Sequence, residues 1–361
     1  MKAGLTIEEM GREVMRQNQA KADYLIDTRS MEMEAYDSGV ILRMLDGDAN
    51  DVVEPLDVGP LAHRQIGAHL KIPASYYDRL QAENPELLSL NVNSWFCRQP
   101  AERMIRTLDG TARAFLSSRY RRIDHLEILQ AILPVIGDMP DARFESCQIT
   151  DSRMYIKVVN PRLQTEVARG DIVQAGVVIS NSETGQGSVC IQPLIFRLIC
   201  LNGLVVNDAA TRKNHVGRIQ MAEENYQLYS DKTLQADDRA FLFKVQDTVR
   251  AAADEARFSM VVDMMREASN ARMNTDDIPA IVKLAGKNYG LSESESEGVL
   301  NRLIEDHTYS KYGLSNAVTR YSQDIDNYDR ASDLEAIGYN ILSIGRPEWN
   351  RLNQAAAQIA A

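Results

Sequence analysis

The 361-residue sequence predicts an α+β fold: a mixed or antiparallel sheet core, with a helical N-terminal hairpin before it and a long helical C-terminal region after it. Three stretches carry this prediction. Residues 171–207 read as two long apolar arms around a glycine-bearing turn, with Ile172, Val177, Val178 and Ile179 in the first and Val189, Ile191, Leu194, Ile195, Phe196, Leu198 and Ile199 in the second. Branched and aromatic residues of this kind suit a pleated, half-buried surface. Between the arms, Asn181, Ser182, Gly185, Gln186 and Gly187 are turn formers. Residues 61–80 read as two short helices separated by Lys71-Ile72-Pro73, with Pro73 starting the second. From Leu234 to Ala271 the chain has neither Pro nor Gly and carries apolar residues at Ala240, Phe243, Val249, Ala253, Ala256 and Met260. This spacing predicts one amphipathic helix of about ten turns.

Taken in order, the first 35 residues read as a polar, loosely docked helix, and Ser38–Leu45 as a first strand. Asp46–Asp51 is a solvated acidic turn, and no calcium site is expected there because no Glu stands where it would close such a loop. The helical pair at 61–80 has the outline of a DNA-reading helix-turn-helix, in which Ser75, Tyr76 and Arg79 would meet base edges. Its second helix is poor in basic and amide side chains, so a structural hairpin is the expectation. Leu90–Phe96 alternates like a strand, and Thr111–Ser118 with Arg119–Ile123 gives a strand and a turn. His125–Ile136 is an amphipathic helix ended by Pro134 and Gly137. Arg143–Thr150 and Arg153–Asn160 form a hairpin across Asp151-Ser152, and Asn202-Gly203 reads as a turn pair ending the second apolar strand. Further on, Asp277 is placed to cap a helix, Ser292 and Glu295 to form a capping box, and Ser315–Ile344 is helical again. The segments that follow are 1–97, 98–220 and 221–361.

With 44% hydrophobic and 25% charged residues the composition is ordinary for a globular chain. No run approaches the roughly 18 apolar residues of a membrane span, and residues 1–17 lack the apolar core of a signal peptide. No membrane partner and a cytoplasmic location are expected. Cys97, Cys147, Cys190 and Cys200 are widely spaced, so neither a disulfide nor a zinc site is expected. Gly185-Gln186-Gly187 lacks the third glycine of a dinucleotide loop and precedes a strand. His63 and His69 have no nearby Cys or Glu partners. Cys200 with His215 as its base is outweighed by a buried structural thiol, and no carboxylate set for a metal-dependent nuclease stands out. The sequence points to no catalytic residue, no metal and no cofactor.

The net charge of −11 argues against indiscriminate nucleic-acid binding, but the charge is unevenly spread. Residues 1–97 carry −7, residues 98–218 carry +4 and residues 219–361 carry −8. Basic side chains of the middle part cluster at Arg119-Tyr120-Arg121-Arg122, at Arg197, and at Arg212, Lys213, His215 and Arg218. Interleaved Arg and Tyr can grip a phosphate backbone and stack bases, as single-strand binders do. The same residues can equally pair with the carboxylates of the acidic C-terminal helices. Arg197 interrupts the apolar run FRLICL and must reach an edge or meet a carboxylate, because an unpaired buried charge is costly.

Several segments in order carry a resemblance: IGAHLKIPASYYDRL with LNVNSWF, AFLSSRYRRIDHLEIL, FRLICLNGLVV followed by RKNHVGRI, and YGLSNAVTRYSQD. Together, over roughly residues 60–330, the chain resembles the phage- and plasmid-like protein family of unknown function found in phages, prophages, conjugative plasmids and bacterial chromosomes. Its most specific positions are Arg197, Cys200, Asn202 and Gly203, then His215, then Asn316-Ala317-Val318-Thr319. No catalytic motif comes with the resemblance. What it implies is an accessory protein of a mobile element; with the basic middle, the expected function is binding or annealing of single-stranded DNA by a homo-oligomer, in recombination or replication. The alternative is an assembly module that meets a phage or host protein through the long C-terminal helix.

Overall fold

The computed structural model describes residues 1–36, 39–45, 52–120, 122–187, 189–207, 231–252, 254–274 and 277–359. The chain opens with helix α1 (Ile7–Ala20), started by a reciprocal capping box between Thr6 and Glu9. It is not loosely docked. Met10 and Val14 are fully buried, and the residues after it enter a six-stranded sheet as β1 (Ala22–Asp27) and β2 (Met31–Tyr36). The sheet is completed by β3 (Gly39–Leu45), β4 (Val52–Val58), β5 (Glu102–Leu108) and β6 (Thr111–Ser117), in the order β1-β5-β6-β4-β3-β2. Every pair is antiparallel except β4 with β6. A parallel pair needs a long crossover, and this one contains α2 (Pro60–His69), α3 (Ala74–Glu83), α4 (Pro85–Arg98) and β5.

These three helices cover one face of the sheet, where Ile66, Tyr77, Leu88 and Val92 pack with Met33, Leu42, Ile105 and Phe115. The strand expected at Leu90–Phe96 is the second half of α4. Leu88, Val92 and Phe96 are all completely buried, a four-residue period that outweighs the local alternation of LNVNSWF. The helix starts where the Asn84 side chain accepts the Leu87 N–H at 3.0 Å. The segment boundary expected at residue 97 falls in the last turn of α4. Asn93 of α4 also closes the outer edge of the sheet: it accepts the Met33 N–H and donates to the Met33 carbonyl, both at 2.8 Å. A side-chain amide here stands in for a missing strand. Asn93→Leu is expected to cost about 1–3 kcal/mol in a urea titration, since both edge groups lose their partner.

After α5 (His125–Gly137), which runs through Pro134 rather than ending there, the second sheet begins. It comprises β7 (Arg143–Ile149), β8 (Met154–Ala168), β9 (Asp171–Asn181), β10 (Cys190–Arg197) and β11 (Asn202–Val205), antiparallel throughout in the order β11-β10-β9-β8-β7. The apolar hairpin of the sequence is β9 with β10. Both faces are covered, which is why its arms are apolar at almost every position. Val177 and Ile179 pack with Met10, Ile132 and Val245. On the other face, Val178 packs with Met1, Val159, Leu194 and Phe196. Asn202-Gly203 does not end the second strand of this hairpin: the turn is made one step earlier, with Leu201 at φ 51°, and Asn202 opens β11.

The ten-turn helix expected over Leu234–Ala271 is two helices, α6 (Asp231–Ala252) and α7 (Glu255–Asn270). Asp254 starts the second, its side chain accepting the Arg257 N–H at 3.1 Å. A cap needs neither Pro nor Gly, so a scan for those two residues passes over the break. The C-terminal helices α8 (Ile278–Tyr289), α9 (Glu293–Asp306), α10 (Lys311–Tyr321), α11 (Tyr328–Leu342) and α12 (Arg346–Ile359) share a core that includes Ile281, Val299, Leu314 and Leu334. Asp277 and the Ser292–Glu295 box cap α8 and α9 as read from sequence. Asn316 is buried within α10, and Asn202 joins that helix to β11 through Thr319. Cys147 and Cys190 are buried, Cys200 half-buried and Cys97 exposed, all as free thiols. Among the described residues no helix is long and apolar enough to cross a membrane. The acidic turn at 46–51 lies outside them.

Candidate functional site

The segment between β9 and β10 is the joint between the two sheets. Asn181, Ser182, Glu183 and Thr184 are all buried, and Gln65 of α2 donates to the Thr184 carbonyl at 2.8 Å. Gly185 has φ +79°, and a Cβ there would stand 2.6 Å from the Leu116 side chain, so glycine is required on both counts.

Glu183 is the centre of an ionic seam. It accepts from the Arg113 guanidinium of β6, takes the His125 N–H at 2.6 Å and lies 3.5 Å from the Lys21 ammonium. Arg106 of β5, with no side-chain exposure, donates to Asp23 of β1 at 2.8 and 3.2 Å, to Asp124 at 2.7 Å and to the Glu183 carbonyl at 3.0 Å. Lys21 also reaches Asp124 at 2.7 Å. The elements explain the convergence. Cross-strand pairing sets Asp23 opposite Arg106, and the β5–β6 register shift between Arg106 and Thr107 brings Arg113 towards the same joint. Asp124 is the cap of α5.

The electrostatics of the seam are decided by competition between burial and these cations. Burial opposes charge on Glu183, but His125, Arg113 and Lys21 outweigh it and hold its carboxyl at about 2. Asp124 is held low in the same way against its burial, chiefly by Arg106. Burial pushes His125 down to about 4, and its Nδ1 receives a hydrogen bond from the Asn181 amide at 3.0 Å. At neutral pH Glu183 and Asp124 therefore carry their charge beside a neutral His125 imidazole. Among the described residues no group of His, Cys, Asp and Glu is arranged to hold a metal ion. Fixed charge and oriented donors are what this arrangement offers chemically.

Of the sequence cluster at 119–122, Arg119, Tyr120 and Arg122 form the lip of the seam. Tyr120 donates its hydroxyl to the Ser182 carbonyl at 3.3 Å. Arg122 reaches Asp23 at 3.0 Å while its side chain stays 56% exposed. The Arg119 N–H turns back onto Ser117 Oγ at 3.2 Å, and its side chain is exposed. Arg197 lies elsewhere. It meets Asp171 through two contacts of 2.6 and 3.0 Å, the carboxylate its burial demanded, with its guanidinium over the Tyr312 ring. Arg197 pairs across with Val173, and Asn181 at the seam is eight residues farther along β9, roughly 26 Å away. The structure does not bring Arg197 and the 119–122 lip together. Arg121, Arg212, Lys213, His215 and Arg218 lie outside the described residues.

A family model described as Domain of unknown function (DUF932) matches residues 113–335. The chain belongs to this family. The DUF932 stretch begins at Arg113, later than the resemblance read from roughly residue 60, and it contains Arg122, Asp124, His125 and Glu183. Lys21, Asp23 and Arg106 fall before it, so one half of the seam lies within the DUF932 match and the other half is supplied by the end of α1, by β1 and by β5. Comparison with curated proteins and with solved structures gave no match.

Proposed function

We propose that this DUF932 chain is an accessory protein of a phage or other mobile element that binds single-stranded DNA, in recombination or replication, along the lip of the ionic seam. The observation that carries the reading is the exposed Arg122, poised over a seam in which Lys21, Arg106, Arg113 and Arg122 outnumber Asp23, Asp124 and Glu183. Buried cations locked on carboxylates keep the lip rigid and positively biased, and an exposed guanidinium beside Tyr120 suits a phosphate and its neighbouring base. The mobile-element setting is supported by the sequence segments quoted above. The test is fluorescence anisotropy of a labelled single strand of about thirty nucleotides at low salt, beside the same duplex. Saturable binding that Arg122→Glu weakens at least tenfold is the expected result. Absence of binding to either substrate at low salt would refute the reading.

A second reading, a protein-interaction module, has its own support on the C-terminal side. Phe243 of α6 is 57% exposed and Met260 of α7 is 70% exposed, large apolar groups that a partner would cover. Under this reading Phe243→Ser and Met260→Ser would release a partner recovered with the wild-type chain, and DNA binding would be absent.

A further inference from the structure

A cavity of about 160 Å³ lies where α6 gives way to α7 over the second sheet. Ala175 and Gly176 of β9 and Pro193 of β10 line it from the sheet, Ala252 lines it at the end of α6, and Phe258 and Val261 line it from α7. The gap follows from the sequence. Ala175, Gly176 and Ala252 offer almost no side chain to fill it, and Gly176 cannot be larger, because a Cβ there would stand 2.3 Å from the Val158 carbonyl oxygen. Apart from Asp254, Arg257 and Tyr339, the lining side chains carry neither nitrogen nor oxygen. A water needs two to four polar partners, whereas an apolar space of about 150 Å³ stays dry and takes a benzene ring. The cavity reaches the surface at α7, where Met260 lines it and is 70% exposed. Arg257 stands one turn before Met260 on the same face of the helix. It is half-buried, and among the described residues no carboxylate pairs with its guanidinium. The nearest carboxylate in sequence, Asp254, caps α7 by accepting the Arg257 backbone N–H at 3.1 Å.

We propose that this cavity binds a small aryl carboxylate, with the ring in the apolar space and the carboxylate on the Arg257 guanidinium at its mouth. The volume sets the ring: it admits one, and the lining has nothing polar to offer a second charged group at depth. The guanidinium sets the head group, because its planar fork meets a carboxylate through two parallel hydrogen bonds. Met260 and Met264, one turn apart on α7, both line the cavity. Their unbranched thioethers adapt to the outline of a ring and make favourable sulfur contacts with its edge. The site is built from the second sheet and the α6–α7 junction, and it shares no residue with the ionic seam.

The experiment follows the methyl signals of Met260 and Met264 by NMR in the full chain labelled with carbon-13 at the methionine methyls. Three probes are added at equal ionic strength: phenylacetate, benzyl alcohol with the ring but no charge, and acetate with the charge but no ring. The expected result is a saturable shift of both signals with phenylacetate, about fivefold or more weaker affinity for benzyl alcohol, and no saturable shift with acetate. Arg257→Gln should bring the affinity for phenylacetate down to that for benzyl alcohol. Ala252→Leu, which fills the cavity, should abolish the response to both. Should Ala252→Leu fail to fold, the exposed-side change Arg257→Gln decides alone. No saturable shift with phenylacetate, equal affinity for phenylacetate and benzyl alcohol, a matching response to acetate, or an unchanged response in Arg257→Gln would overturn the site. Any of these failures leaves the seam reading standing, because that reading rests on Arg122 and on binding of the strand itself.

Discussion

Glu183→Gln is expected to destabilise the chain by about 3–5 kcal/mol, the range found when one partner of a buried ionic group is removed. The side chain keeps its shape and its carbonyl can still accept the His125 N–H, but Arg113 and Lys21 lose the charge that offsets their desolvation. Chemical unfolding of the variant measures the loss. A cost within about 0.5 kcal/mol of zero, as for a surface substitution, would show that the seam does not hold the sheets together. The pH dependence gives a second readout. Glu183 is held at about 2 against an ordinary value of 4.5, so its contribution is complete above about 4.5 and is lost as pH falls towards 2. His63 and His125 act earlier. Burial pushes each from 6.5 to about 4, so between those values the unfolded chain binds protons that the folded chain refuses. Stability should therefore fall with falling pH from about 6.5, by up to ~1.4 kcal/mol per pH unit for each histidine. Loss through the depressed carboxylates should follow below about 4.5, and Glu183→Gln should shrink that second phase without abolishing it, because Asp124 and Glu295 are held low as well.

The second large effect is expected at Lys157 and Glu335, which dock α11 onto the second sheet. Both side chains have no exposure, their charged atoms are 2.6 Å apart, and the Tyr328 ring lies 4.9 Å from the ammonium. Glu335 retains one oxygen without a hydrogen-bond partner. Lys157→Met alone leaves a buried carboxylate without its cation and should cost about 3–5 kcal/mol. The double replacement Lys157→Met with Glu335→Leu should recover most of that loss, because two apolar groups carry no desolvation penalty. The coupling in a double-mutant cycle then measures how strongly the contact between sheet and helix depends on charge. Equal losses in the single and double variants would mean that shape, not charge, fixes α11 on the sheet.

Much of the architecture was legible where burial imposes a long pattern. The β9–β10 hairpin, the α2–α3 pair, α5 and the caps at Asp277 and Ser292 all follow from local sequence. Arg197 was legible in a different way: a charge inside an apolar run had to reach an edge or meet a carboxylate, and Asp171 is there. The errors share a cause, which is that a short window competes with longer-range packing. LNVNSWF alternates locally, yet its burial period is helical; the Leu234–Ala271 stretch has no breaker, yet Asp254 caps a new helix within it. The seam was the least legible part. Glu183 stands in a stretch that reads as a surface turn, and its partners Lys21, Arg106 and Arg113 are dispersed over two sheets. Only tertiary pairing brings them together. The remaining hint was Arg106 itself, a second arginine interrupting a strand, for which the same argument as for Arg197 asks for an edge or a carboxylate.

The measurement that bears most directly on the proposed function is the salt dependence of single-strand binding, made on the wild-type chain and on the Arg121→Glu, Arg122→Glu double variant. The slope of affinity against salt counts displaced counterions, with each phosphate contact contributing about 0.7 on a single strand. A steep wild-type slope that falls by about 1.4 or more in the double variant, with unfolding stability unchanged, is the predicted result. A wild-type slope near zero, or one that the double variant leaves intact, would contradict a phosphate-binding lip at residues 119–122.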